Sequence, residues 1–185
     1  MLIYSKSNKV ELSIPIREIK CFENLIIKPL DGTMTIHNAK LQKIISGEIY
    51  FEDVELDFPS VATPETKFNL FEISAFATHQ EKFYSISENL YSLCLTQHQI
   101  VEICTEYRKL FFVENENIIG LPITIFFLFN PSEYYQLVRP EEDNKFLVAC
   151  ISLKSRKLIS HIEDFTSDER GDKQILNRFV VRKDL

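Results

Sequence analysis

Alternating apolar and polar positions predict β-strands through much of the first half of the chain. Residues 10–16 place apolar side chains at every second position, the period of a half-buried strand. Residues 48–58 do the same, but the apolar positions change parity at Glu52 and Asp53. This change predicts a β-bulge or a bend, because a one-residue slip turns the apolar set to the other face. A further strand is predicted at 68–77.

Two hairpins are predicted from turn signals between such segments. Asp31-Gly32 separates the extended runs 25–30 and 33–36, and Asp-Gly is a strong signal for a type I′ turn. In that register Ile27 would lie opposite Ile36. The polar segment 79–82 is predicted as a turn, followed by a strand at 83–86.

One amphipathic helix is predicted at about 97–113. Thr96 and Gln99 have the spacing of a capping box, in which each side chain accepts a hydrogen bond from the other residue's backbone N–H. Apolar residues then recur at the helical spacing of three and four. They are Ile100, Ile103, Cys104, Tyr107, Leu110 and Phe111.

The second half adds strands that are apolar on both faces. Such runs occur at 123–129 and 146–153, and they are typical of central strands covered on both sides. A return strand is predicted at 158–165, while 175–181 fits a strand or a short helix equally. The pattern predicts an α+β fold with a mostly antiparallel sheet and one principal helix. We expect a single domain, 1–185, with an alternative division into a β-rich part, 1–62, and an α+β part, 66–185.

Composition removes several classes of enzyme. The 185 residues include only four glycines, and no two of them lie close together. The dinucleotide-binding fingerprint and the phosphate-binding P-loop need clustered glycines, and the G-x-S-x-G motif is absent as well. No cofactor is therefore predicted. The formal net charge of −6 argues against a generally basic nucleic-acid-binding protein.

The cysteines and the apolar runs point to the cytoplasm. No C-x-x-C pair exists, so a zinc ribbon or a thioredoxin-type motif is excluded. The first ten residues lack the apolar segment of a secretory signal, and thiols outside the export route stay reduced. The longest strongly apolar run, 121–129, is short of the roughly 20 residues of a membrane helix. No membrane association is predicted.

Cys150, His161 and Glu163 are the catalytic candidates. If residues 154–157 form the hairpin turn, Leu153 faces Leu158, and Cys150 lies directly opposite His161. Glu163 falls on the same face. A thiol, an imidazole and a carboxylate are the groups of a cysteine nucleophile with its base and orienting acid. The alternative is a buried cysteine beside a hydrogen-bonded histidine. This alternative is favoured by the apolar neighbours of Cys150 and by the lack of an adjacent glycine turn.

An acidic segment is the main candidate for partner binding. Five carboxylates, with no basic residue among them, could share one face of the strand around 48–57 and attract a basic protein surface. They are Glu48, Glu52, Asp53, Glu55 and Asp57. A charged outer face that protects an edge strand is the alternative. Tyr134 and Tyr135 lie between two prolines and are a second candidate for partner binding. The alternative is that both tyrosines pack within the protein.

No metal site is predicted. His37, His79 and His98 show no ligand spacing such as H-x-H or H-E-x-x-H. The basic residues at 154–157, together with Arg178, Arg182 and Lys183, are too few for strong phosphate binding and are expected in solvent.

Three hypotheses of function remain open on the sequence. The favoured one is a non-catalytic cytoplasmic protein of the inhibitor, immunity or adaptor type that binds another protein through an acidic surface. The second is a small Cys-His hydrolase or transferase, and the third is a self-associating structural subunit. The lack of catalytic motifs favours the first, while the enzyme hypothesis stays undecided.

Overall fold

The computed structural model describes residues 16–18, 25–46, 57–73, 77–111, 123–130, 146–154, 157–167 and 177–183. Its strands are β1 (Ile16–Glu18), β2 (Leu25–Ile27), β3 (Thr66–Ile73), β4 (Thr124–Phe129), β5 (Leu147–Lys154), β6 (Lys157–Asp164) and β7 (Asn177–Arg182). Its α-helices are α1 (Ile36–Leu41), α2 (His79–Ile86), α3 (Leu90–Leu93) and α4 (Gln97–Glu106), and a 3₁₀-helix spans Arg108–Phe111.

The strands form one mixed sheet. The order is β1-β3-β7-β4-β5-β6, and β2 also pairs with β3. The pairing is antiparallel except between β4 and β7, which run parallel. The predicted α+β class with a mostly antiparallel sheet is confirmed. The segment 175–181, left open by its pattern, contains β7, which lies between β3 and β4.

The predicted β5–β6 hairpin is confirmed in its register. Leu153 pairs with Leu158, and Cys150 pairs with His161. The boundaries of β4, β5 and β6 agree with the predicted strands to within one residue. The long apolar runs of β4 and β5 are reliable signals because these two strands are buried on both faces.

The predicted Asp-Gly hairpin is wrong. Asp31 Oδ1 accepts hydrogen bonds from the Thr33 N–H at 3.0 Å and from its hydroxyl at 2.7 Å, so the turn chemistry is present. Gly32 has φ +81°, and a Cβ there would lie 2.2 Å from the Ser60 carbonyl oxygen. The chain leaves this turn into α1, capped by Thr35, and β2 pairs with β3 instead.

The predicted turn and strand at 79–86 are also wrong, because the segment is the helix α2. Thr78 and Glu81 form a capping box, and the Thr78 N–H donates to Glu81 Oε2 at 2.8 Å. The capping box gives partners to two backbone N–H groups that the first turn of a helix leaves unpaired. This stabilisation of the helix outweighs a strand pattern of only four residues.

The predicted principal helix is confirmed as α4. Its capping box is formed as expected, with the Thr96 N–H donating to Gln99 Oε1 at 2.9 Å and the Gln99 N–H to the Thr96 hydroxyl at 3.2 Å. The α-helix ends at Glu106 and tightens into the 3₁₀-helix, a common ending. The predicted end at 113 lies outside the described residues.

Helices cover both faces of the sheet. On the first face α1 and α4 pack on side chains such as Phe127, Ile151 and Val180, and on the second face α2 and α3 pack on Phe126 and Phe179, among others. The chain crosses from the second face to the first between α3 and α4. Leu95 ties this crossover to β4 through a 2.9 Å hydrogen bond to the Leu128 carbonyl.

The described helices are all too short, or not apolar enough, to cross a membrane. Residues from both sides of the predicted division near 62–66 contribute to one apolar core, since Leu25 and Ile36 belong to the same cluster as Phe127. The division itself stays a prediction.

Candidate functional site

Five chemically active side chains gather on the second face, where α2 packs against β5 and β6. We call them the polar cluster: His79, Lys82, Cys150, His161 and Glu163. His79, Lys82 and Cys150 are buried, with 4%, 1% and 1% of their surface exposed. The helix α2 and the distant hairpin of β5 and β6 therefore place titratable groups beside a core rich in phenylalanine and leucine.

Glu163 is the centre of the polar cluster. Its Oε2 lies 2.5 Å from Nε2 of His79, and its Oε1 lies 2.6 Å from Nε2 of His161. These hydrogen bonds, first that of His161 and then that of His79, hold the pKa of the Glu163 carboxyl far below its ordinary value, against the opposing effect of burial. Glu163 is therefore a carboxylate at neutral pH, and it fixes both imidazole rings.

His79, Cys150 and Glu163 form a compact set of metal-ligand atoms. One nitrogen of His79, Sγ of Cys150 and one oxygen of Glu163 all lie within 4.8 Å of one another. Nδ1 of His79 is buried and has no hydrogen-bond partner among the described residues. A buried polar atom without a partner costs free energy, so this nitrogen needs an explanation.

Lys82 places a buried amine beside this set. Its Nζ lies 5.8 Å from the ring centre of Phe126 and 5.9 Å from that of Phe179, within cation–π range. Burial lowers the pKa of Lys82, and the nearby Cys150 and Glu163 partly oppose that shift. Cys150 and Glu163 thus favour the charged form of the amine, and burial disfavours it.

The predicted catalytic candidates do share one face. Cys150, His161 and Glu163 lie as the register implied, and Glu163 orients His161. The histidine whose nitrogen lies within 4.8 Å of the thiol is His79, which the sequence pattern did not single out. Because only 1% of Cys150 is exposed, no substrate reaches its thiol in this conformation. The catalytic hypothesis stays a prediction that this geometry does not favour.

Most of the acidic segment and both tyrosines lie outside the described residues. These are Glu48, Glu52, Asp53, Glu55, Tyr134 and Tyr135. Asp57 is described and has an internal role. Its Oδ1 accepts hydrogen bonds from the Thr35 hydroxyl and from Nδ2 of Asn38, the latter at 3.3 Å, and its Oδ2 lies 3.9 Å from Nε2 of His37. The acidic surface therefore stays a prediction for the other four carboxylates.

A second candidate site lies at the crossover between α3 and α4. Two adjoining cavities of about 420 and 620 Å³ share Cys94, Thr96 and Arg182, and together we call them the end groove. Arg182 ends β7 and Asn130 follows β4. Because β4 and β7 run parallel, their carboxyl ends meet here, and such ends are a common position for ligands in sheets with parallel strands. The remaining lining residues are Phe58, Pro59, Ser60, Val61, Thr63, Pro64, Glu65, Thr66, Lys67, Tyr91, Leu95, Gln97, Gln99 and Lys183.

Basic side chains and a helix N-terminus dominate the charge of the end groove. Lys67, Arg182 and Lys183 line it, against one carboxylate, Glu65. The N-terminus of α4 begins at Thr96 and adds its partial positive charge. Burial raises the pKa of the Cys94 thiol to about 12, so this cysteine lines the groove as an uncharged side chain.

Two features of these sites were missed by the sequence patterns. His79, Lys82 and Phe83 are buried together on α2, a spacing of three and four that identifies one helical face, although two of the three are titratable. Arg182 and Lys183 were noted as basic residues, but Lys67 joins them only because β3 pairs with β7.

Comparison with protein-family models, with curated proteins and with solved structures found no match to this chain. The geometry of the two sites is therefore the basis on which a function can be proposed.

Proposed function

We propose that this protein binds a small anionic ligand with an apolar or aromatic body in the end groove. The observation that carries the proposal is the convergence of three basic side chains and the N-terminus of α4 on one open cavity. The cavity volumes lie in the range of about 300–1,000 Å³ that is typical of small-molecule sites.

The basic side chains are held in place by the sheet. The Lys183 N–H donates to the Lys67 carbonyl at 2.9 Å, and Arg182 pairs with Phe68 across β3 and β7. Nη2 of Arg182 donates to the Tyr91 carbonyl at 3.4 Å, which links the strand end to α3. Their backbones are fixed before a ligand arrives, so binding costs less conformational entropy than it would on a loop.

The other half of the end groove supports an apolar ligand body. Val61 is 80% exposed and Tyr91 53% exposed, and both line the larger cavity together with Phe58. Exposed apolar and aromatic groups beside cations are a suitable surface for an aromatic anion, whose ring covers them while its charge meets the basic side chains.

The groove is suited to binding rather than catalysis. Its cysteine, Cys94, is protonated at neutral pH, and no histidine is among the described residues that line it. A nucleophile with a neighbouring base, which covalent catalysis needs, is not formed there. The proposal is therefore one of binding, with a basic groove as the binding surface.

A cytoplasmic location is part of the proposal. Cys94 and Cys104 are thiols that form no disulfide within the part of the chain that the structure describes, and such thiols are typical of proteins in a reducing compartment.

The test uses 1-naphthyl phosphate as the probe and 1-naphthol as its uncharged counterpart. We expect calorimetric titration of the full chain to show binding of the phosphate and far weaker binding of the naphthol. The Arg182→Gln and Lys67→Gln variants should each bind the phosphate about tenfold or more weakly, because a hydrogen bond to a charged group is worth about 1.5–3 kcal/mol.

Lys157→Gln is the matched control, since Lys157 is exposed at the far end of the sheet, at the start of β6. It should bind the phosphate as the wild type does. Equal affinity for phosphate and naphthol, or an equal loss in Lys157→Gln, would overturn the proposal.

A further inference from the structure

We infer that His79, Cys150 and Glu163 form a binding site for a single Zn²⁺ ion that fastens α2 to the β5–β6 hairpin. The inference is independent of the end groove, which lies at the crossover between α3 and α4.

The donor set matches zinc better than the other common biological cations. It offers an imidazole nitrogen, a thiolate sulfur and a carboxylate oxygen, the three ligand types found in zinc sites. Calcium and magnesium prefer sites made only of oxygen atoms, so the sulfur and the nitrogen argue against them. Three protein ligands leave a fourth position of the tetrahedron for water or a further side chain.

The distances are close to those that a bound ion requires. Two ligand atoms on a tetrahedral zinc ion are separated by roughly 3.4 Å, given bonds of about 2.0–2.3 Å. The three atoms here lie within 4.8 Å of one another. The separation of the ligand atoms is therefore of the size that one bound ion would bridge.

One nitrogen of His79 lacks a partner. Nδ1 has no hydrogen-bond partner among the described residues, although only 4% of the residue is exposed, while Nε2 contacts Glu163. A buried nitrogen without a partner costs free energy, and a metal ion is one partner that would remove this cost.

The second oxygen of Glu163 is already oriented from outside. His161 holds Oε1 at 2.6 Å and is itself half exposed. Such an outer partner fixes the direction of a ligating carboxylate and is part of a functional metal site. Because about a fifth of the Glu163 side chain is also exposed, the ion has a path in from solvent on this side.

The charges of the ligands balance the charge of the ion. A thiolate at Cys150 and the carboxylate of Glu163 supply two negative charges for the two positive charges of zinc. A thiol that binds a metal does so as the thiolate, so binding of the ion releases the thiol proton to solvent.

The test starts from the full chain after chelator treatment. With Co²⁺ as a spectroscopic stand-in for zinc, we expect a thiolate-to-cobalt charge-transfer band that saturates at one equivalent. With Zn²⁺ we expect one ion to be bound in competition with a chromophoric chelator, and the melting temperature to rise, since a ligand that binds only the folded state stabilises it.

Cys150→Ser should abolish the cobalt band and weaken zinc binding by about 100-fold or more, because a direct ligand costs at least as much as an outer partner. Cys104→Ser is the matched control, a buried thiol that belongs to the core of the other face. It should keep the band. His79→Gln keeps the thiol and should lose the rise in melting temperature.

Several results would overturn the inference. The first is a wild-type protein that binds no cobalt or zinc, or that binds them without a thiolate band. The second is a band that persists in Cys150→Ser or disappears in Cys104→Ser. Should Cys150→Ser fail to fold, His79→Gln decides, and wild-type zinc affinity in that variant contradicts the site.

Discussion

The helices α2 and α4 begin in the same way but differ in what they bury: α2 buries a histidine and a lysine, whereas α4 buries mostly apolar side chains. Each starts with a threonine capping box and packs on one face of the same sheet. The buried side of α4 carries Ile100 and Ile103 near its middle. The corresponding side of α2 carries His79 and Lys82, with Phe83 beside them.

The difference separates two ways of holding a helix on a sheet. α4 is stabilised by apolar burial, which needs no partner atoms and depends little on pH. α2 buries groups that cost free energy unless each finds an opposite charge or a donor, and Glu163 supplies much of that compensation. Stability should therefore respond to volume on the α4 side, and to pH and metal on the α2 side.

The largest effect is expected from Ile103→Ala on α4. Ile103 is fully buried in the core of the first face, and truncating such a residue costs about 2–5 kcal/mol through lost burial and the cavity it leaves. Urea unfolding should show this loss at pH 5 and at pH 8 alike. A loss that differs strongly between these pH values would contradict the apolar account of α4.

Glu163→Gln should cost about 2 kcal/mol at pH 7, because it weakens two charge-assisted hydrogen bonds. The pKa of Glu163 is lowered in the folded state. The carboxylate therefore makes its full contribution to stability at pH values above the pKa of the unfolded chain, about 4.3. That contribution is lost as pH falls toward the folded pKa. Unfolding curves of variant and wild type should converge in acid, and a constant difference down to pH ~2 would argue against the assignment.

Lys82→Met should raise stability by about 1 kcal/mol at pH 7, since it removes a buried ammonium and keeps its volume. The pKa of Lys82 is lowered from 10.5, so the unfolded chain binds this proton more tightly than the folded one. The free energy of unfolding of the wild type should therefore rise with pH up to about 10.5. The difference in stability between variant and wild type should shrink over the same range. If the variant is less stable than the wild type at pH 7, interactions of the amine with its neighbours fully offset the cost of burying its charge.

The smallest effects are expected at the two caps. Thr96→Ala should cost about 1 kcal/mol, and Thr78→Ala about half of that, because the Thr78 bonds are exposed to water. Thermal unfolding at one pH measures both. A larger loss in Thr78→Ala would mean that the cap also holds His79 in the polar cluster.

The sequence predicted those elements whose signals are local. β4, β5 and β6 are long apolar runs, and α4 has both a capping box and an apolar stripe, so pattern and structure agree. The Asp31-Gly32 turn has its expected chemistry, yet that chemistry serves a helix entrance as well as a hairpin. The partner of β2 is β3, about forty residues further on, and no local signal specifies it.

The candidate sites were harder to predict because they depend on distant contacts. The β5–β6 register placed Cys150, His161 and Glu163 on one face correctly. His79 joins them from 84 residues away, through a helix whose buried face is half polar and so resembles a turn in sequence. The end groove likewise exists only after β7 has paired with β3 and β4.

That position of β7 has a consequence for synthesis. The strand that spans Asn177–Arg182 is inserted between β3 and β4, so among the described strands it alone pairs with both halves of the sheet. A ribosome-bound chain that has reached β6 still exposes the inner edges of β3 and β4, which are prone to pair with other chains. Completion of the sheet must therefore follow translation of residue 182, and nascent chains stalled before that point should be held by chaperones or aggregate.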